Sequence, residues 1–107
     1  MIKIFKPCDF HVHLREGELA KQVLNENSKH FQKILIMPNL QVPITNSNLL
    51  NKYRNHLLNN KKHLEILFTI YLNQNCSIKD LSEMKKKKLF FSVKLYPQNA
   101  TTNSSSG

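Results

Sequence analysis

Apolar and polar residues alternate at the start of the chain, give way to helical spacing, and then repeat that exchange to the end. Ile2, Ile4 and Phe5, followed by Val12 and Leu14, have the near period-two pattern of a strand. On such a strand residues two apart share a face, which would set His11, His13 and Arg15 side by side. Glu16-Gly17-Glu18 breaks this strand and opens a helix with acids at its favourable end, its apolar face predicted from Leu19, Val23, Leu24 and Phe31. The continuous run Ile34-Leu35-Ile36-Met37, closed by Pro38-Asn39, fits a strand covered on both faces. After a polar loop over 40–46, Leu49, Leu50, Tyr53, Leu57 and Leu58 predict a helix over about 47–60. Residues 64–72 are rich in β-branched and aromatic side chains and predict the next strand. Ser77-Ile78-Lys79-Asp80 has the form of a capping box, opening a helix whose core side is expected from Ile78, Leu81 and Met84. Residues 90–96 complete the pattern as a strand.

The order is strand, helix, strand, helix, strand, helix, strand, an α/β alternation that implies parallel strands with helical crossovers. His11, His13 and Arg15, then Asn39, then Lys94 all fall late in or just after predicted strands. In open α/β sheets and in β/α barrels, sites form at the carboxyl ends of the strands. The tail, 97–107, is polar and aperiodic and is expected to be a mobile loop. The pattern stops where a fourth crossover helix is due, so the chain reads as a fragment, whether genetic, proteolytic or prepared.

A chain of 107 residues with 40% hydrophobic residues suits one small domain with a modest core. Two glycines are few, so turns must lean on Asn, Asp, Ser and Pro. The formal charge of +9 invites a nucleic-acid or anionic-membrane partner. The cations are scattered, however, and the one dense run, Lys85 to Lys88, sits where a helix should end and cations favour the macrodipole. No tryptophan, interleaved aromatic and basic patch or Gly-rich phosphate loop accompanies it, so neither nucleic acid nor membrane is expected as a partner. Cys8 and Cys76 make neither a disulfide framework nor a paired metal knuckle. The first residues are too short and interrupted for a signal peptide, and no apolar run is long enough to span a bilayer. A soluble, reducing, cytoplasmic setting is expected.

Two histidines at i, i+2 on a strand can hold a zinc-like cation, and an Arg fork beside them can grip a carboxylate. Each residue also has a plainer reading. The histidines could be surface groups, Lys94 could snorkel from a strand end, and Asn39 could simply make the turn after Pro38. His30, His56 and His63 are expected on or near helices as surface residues. Asp9 is expected to support the metal site or the strand entry, with orientation of His11 or His13 left open.

Three segments carry a family resemblance. Lys6-Pro7-Cys8-Asp9-Phe10-His11-Val12-His13-Leu14-Arg15, Met37-Pro38-Asn39, and Val93-Lys94-Leu95-Tyr96-Pro97 with Asn99-Ala100-Thr101-Thr102-Asn103-Ser104 resemble, in order, bacterial dihydroorotases of the compact pyrimidine-pathway type, within the amidohydrolase superfamily. The resemblance implies a (β/α)8 TIM-type barrel, of which this chain would be the N-terminal part, about half. It implies a binuclear zinc centre with His11 and His13 on one metal and Lys94, as a carboxylated lysine, bridging both. Arg15 and Asn39 would bind the substrate carboxylate, and Thr101 and Thr102 would lie on a loop closing over it. A lysine amine is a poor ligand while protonated, whereas its carbamate offers an anionic oxygen to each of two cations. The implied reaction is reversible hydrolysis of the cyclic amide of dihydroorotate to N-carbamoyl-L-aspartate, in de novo pyrimidine synthesis. Cys8 departs from the family, where an acid is common. Two further metal histidines and a catalytic aspartate belong to later strands, so no catalytic residue is assigned in this chain. By itself the 107-residue chain is expected to be inactive. The partner implied is a small molecule, and a homodimer is left open for a complete enzyme.

Two rivals remain. A hydantoinase- or allantoinase-like cyclic amidohydrolase would share the metal motif, but Arg15 with Asn39 argues for a carboxylate-bearing substrate. A non-catalytic basic interaction module would account for the charge alone.

Overall fold

A computed structural model describes residues 6–57, 63–100 and 103–105. Among them the chain forms β1 (Cys8–Val12), α1 (Gly17–His30), β2 (Lys33–Ile36), α2 (Ser47–Leu57), β3 (Glu65–Leu67), β4 (Thr69–Tyr71), α3 (Ile78–Lys86) and β5 (Ser92–Lys94). The alternation expected from the sequence is present, and every strand pairing is parallel. One predicted strand is two. The 64–72 segment pairs with β2 as far as Leu67 and with β5 from Thr69, and Phe68 between them is buried. The sheet therefore runs β1-β2-β3 and then β4-β5, with the Phe91 N–H donating to the Phe68 carbonyl at the junction. The 90–96 strand is likewise shorter than expected, at three residues.

Strand parity divides the interior into two faces. Val12, Ile34, Ile36, Phe68 and Ile70 join Leu24, Leu50, Tyr53, Leu57 and Met84 from the helices in one apolar cluster. Leu35, Met37, Tyr71 and Lys94 are buried outside that cluster, on the alternate strand positions. The helix faces differ in part from expectation. Leu19 is 54% exposed, and Ala20, Leu24 and Ser28 are the residues that α1 buries. At about 100° per residue Leu19 lies about 140° around the helix from Leu24, whereas Ala20 lies within about 40°. Ile78 is 86% exposed for the same reason, since it sits about 120° from Met84, the buried residue of α3. α2 is as expected through Leu57, with Leu50, Tyr53 and Leu57 inside; Leu58 falls outside the described residues.

Capping also differs. The Ser77 hydroxyl accepts the Asp80 N–H at 3.3 Å, which is one arm of the expected box. The Asp80 carboxylate crosses to another helix, accepting the Ser47 N–H at 2.8 Å and its hydroxyl at 2.7 Å. With the Asn46 side chain accepting the Leu49 N–H at 2.9 Å, the first turn of α2 is capped twice. Lys85 to Lys88 are exposed around the end of α3, as a solvated, dipole-complementing run should be. Among the described residues no helix is long and apolar enough to cross a membrane.

Candidate functional site

β1 carries a register irregularity between Asp9 and Val12. There the Asp9 carboxylate accepts the His11 backbone N–H at 3.0 Å, so Asp9 helps shape the strand. Beyond it the His11 and His13 rings converge, with Nε2 atoms 3.2 Å apart and ring planes inclined at 59°. Two nitrogens that ligate one zinc at tetrahedral angles stand about 3.4 Å apart, from Zn–N bonds of about 2.05 Å. The pair is thus already spaced to share a cation, and the expectation of a common face holds geometrically for these two.

Arg15 does not continue the strand. Its φ is +66°, in the left-handed region, and Gly17 follows at +61°. A non-glycine residue held there costs roughly 1–3 kcal/mol unless its surroundings impose it. They do so here: the Tyr53 hydroxyl donates to the Arg15 carbonyl at 2.7 Å, and His56 Nε2 lies 2.9 Å from the Gly17 carbonyl. The Gln41 N–H donates to the Glu16 carboxylate across the adjoining loop. At the far end of the side chain, Arg15 Nη1 is buried without a hydrogen-bond partner among the described residues.

Asn39 follows β2 and is 1% exposed; Lys94 ends β5 and is also buried. The Lys94 ammonium donates to Asn39 Oδ1 at 2.6 Å and lies 4.6 Å from the centre of the Tyr96 ring. Asn103 donates from its amide to the Asn39 carbonyl at 3.0 Å, and Asn99 N–H to the Ser104 carbonyl at 2.8 Å, so the described part of the tail folds back over the end of β2. Thr101 and Thr102 lie outside the described residues.

The electrostatics are those of crowded bases. Burial, with Lys94, Arg15 and His11 nearby, pushes the His13 pKa down from 6.5 to about 4. Burial and then the Arg15 charge lower that of Lys94. Both shifts favour the neutral base, the form that ligates a metal or attacks an electrophile. Among the described residues no group of three or more His, Cys, Asp or Glu converges, so a cation here would draw on the two histidines and whatever lysine chemistry supplies.

Two tyrosines escaped sequence reasoning. Tyr53 counts there only as one apolar position of α2, and Tyr71 only as part of an aromatic run. Tyr71 is fully buried, pairs in register with Lys94, and its hydroxyl has no partner among the described residues. The available signal was chemical: a tyrosine on a buried position has to place its hydroxyl somewhere. The remaining histidines do modest structural work. His30 is exposed, while His56 and His63 hold the Gly17 and Ser28 carbonyls, the latter at 3.1 Å. Cys8 is exposed beside Gln32, and Cys76 is in no disulfide among the described residues, its thiol donating to the Tyr71 carbonyl at 3.2 Å.

No protein-family model matches the chain. Among curated proteins it is 43% identical to a dihydroorotase of Buchnera aphidicola from Acyrthosiphon pisum, over 99% of this chain and 31% of that protein. It is 38% identical to the mitochondrial dihydroorotase of Oryza sativa, over 99% of this chain and 27% of that protein. Of solved structures, a dihydroorotase of Saccharomyces cerevisiae in complex with 5-fluoroorotic acid matches with TM-score 0.87 and 32% identity, over 94% of this chain and 28% of its own. A dihydroorotase of Campylobacter jejuni matches with TM-score 0.76 and 32% identity, over 94% and 30%. The chain thus spans about a third of the length of the relatives it matches.

Proposed function

Since this chain resembles bacterial dihydroorotase, with a coverage that fits an N-terminal portion, we propose that it supplies part of the active site of that enzyme, which hydrolyses the cyclic amide of dihydroorotate reversibly to N-carbamoyl-L-aspartate in pyrimidine synthesis. Residues 1–107 would be one portion of a (β/α)8 barrel domain, with 97–107 forming a loop over the strand ends. The observation that carries the reading is the convergence of His11 and His13 at 3.2 Å in the same cluster of bases as a buried lysine of lowered pKa.

His11 and His13 would hold one zinc ion, a role that suits the spacing of their Nε2 atoms and the neutrality of His13. Lys94 would bridge two zinc ions after its neutral amine adds carbon dioxide and releases a proton, forming the carbamate. The orphaned Tyr71 hydroxyl, on the residue paired with Lys94, is a donor suited to an added anionic group. When bound, the metals would supply a nucleophile at neutral pH and polarise the scissile carbonyl. Arg15, with Nη1 buried and unpaired, would grip the substrate carboxylate. Asn39 would share that carboxylate, and Thr101 and Thr102 would close over it from the tail. The remaining ligands and the proton-transferring aspartate would come from the length of the relatives that this chain does not span.

The test is turnover by a full-length protein containing this chain. Dihydroorotate should be hydrolysed in preference to hydantoin, with activity lost to a zinc chelator and restored by zinc. A preference for hydantoin would remove the substrate assignment, and chelator-resistant turnover would remove the metal.

A further inference from the structure

The segment from Arg15 to Gly17 is a constrained turn beside the site, and two of its ties come from a helix that contributes nothing to the site directly. α2 is anchored through Leu50 and Leu57 in the apolar cluster, and Tyr53 lies between them on the same buried face. Its ring is packed and its hydroxyl reaches out of the cluster to the carbonyl of Arg15 itself, at 2.7 Å. Burial, with Glu16 close by, raises the Tyr53 pKa, so the phenol stays a donor across the working range. The accepted bond falls on the residue whose φ is +66°, a backbone conformation that an L side chain disfavours. The same residue carries a buried Nη1 that has no hydrogen-bond partner among the described residues, and its charge is felt by both His13 and Lys94.

From this juxtaposition we infer that Tyr53 is a positioning residue: its hydroxyl holds the left-handed turn at Arg15 and so aims the guanidinium at an anionic group of the substrate before that substrate arrives. Two neighbouring ties, His56 to Gly17 and Gln41 to Glu16, hold the residues on the far side of the turn and leave the Arg15 peptide to Tyr53. A guanidinium that must be re-aimed on each encounter loses affinity through ordering entropy, while the chemistry at the metals is untouched. The inference rests on the proposed role of Arg15 as the carboxylate grip.

The experiment is a double-mutant cycle in the full-length, metal-loaded protein, combining Tyr53→Phe with Arg15→Ala. It is read as KM and kcat for dihydroorotate and as the calorimetric Kd of 5-fluoroorotic acid. Tyr53→Phe keeps the ring in the apolar cluster, and its thermal midpoint is measured alongside. Tyr53→Phe should raise KM and Kd by roughly 5- to 20-fold, with kcat within about twofold, as expected for loss of binding without loss of chemistry. In the Arg15→Ala background the same substitution should change neither constant. An equal loss in both backgrounds, or no loss in either, overturns the inference while leaving the Arg15 assignment standing. If Arg15→Ala itself leaves KM and Kd unchanged, the carboxylate grip is wrong and the inference goes with it.

Discussion

Arg15 combines a disfavoured backbone with an unpaired buried donor, and such a residue is expensive to keep unless it is used. Arg15→Lys in the full-length protein should lower kcat/KM for dihydroorotate by at least about 2 kcal/mol in transition-state stabilisation, because lysine lacks the planar fork. Steady-state rates at limiting substrate measure this directly, and an unchanged value would rule the role out. Lys94→Ala should lose metal, since neither an amine nor its carbamate remains. Metal analysis in matched buffers should show wild type gaining zinc with bicarbonate and the variant failing to, whereas two zinc ions in Lys94→Ala would exclude the bridge. His13 gives a pH signature. Its folded pKa of about 4 lies below its ordinary 6.5, so between those values the unfolded chain binds more protons than the folded one. For chelator-treated protein that contribution to stability is intact above pH 6.5 and declines as pH falls towards 4. Urea midpoints at pH 7 and pH 5 should therefore differ more in wild type than in His13→Asn.

At the scale of elements, the joint between α2 and α3 is made by one carboxylate. Asp80 opens α3 through its own N–H and caps α2 through its side chain, so it fixes the helix that carries Tyr53. Asp80→Ala should cost about 1–3 kcal/mol, more than the ~1 kcal/mol of an isolated cap, because two partly buried donors on Ser47 lose their acceptor. Ser77→Ala, which removes only the local bond, should cost less. The urea midpoints of the two variants in the full-length protein give the order, and equal midpoints would show that the crossing bonds contribute nothing.

At the scale of the whole molecule, β5 shows an apolar face to solvent. Val93 on it and Leu95 just past its end are 46% and 70% exposed, and Phe10 and Phe91, also exposed, stand with their ring centres 6.2 Å apart. Apolar exposure of that kind, next to the strand edge of β5, favours association. Prepared as a 107-residue polypeptide, the chain should self-associate, bind fewer than two zinc ions and show no dihydroorotate hydrolysis above buffer. Light scattering, metal analysis and an activity assay test this together, and a monomer with chelator-sensitive turnover would refute it.

The sequence by itself determined the order of elements, the parallel class of the sheet and the residues that crowd the strand ends. Hydrophobic period and turn chemistry are local properties, and Ile34 to Met37 or the Ser77 cap could be read without knowing their neighbours. It also carried the family motifs, because the residues in them are contiguous. Tertiary structure decided the rest. The break at Phe68 depends on where β2 stops pairing and β5 starts. The exposure of Leu19 and Ile78 depends on which side of each helix meets the sheet, and a short helix with apolar residues on two sides does not say which side that will be. The left-handed turn at Arg15 carries no local signal, and the hydrogen bond its carbonyl accepts comes from Tyr53, 38 residues away. The shift of His13 arises from burial and from charges that only folding brings near. Bonds between distant positions leave no periodic trace, so the chemistry of this site was legible as a set of residues, and its geometry only once they were assembled.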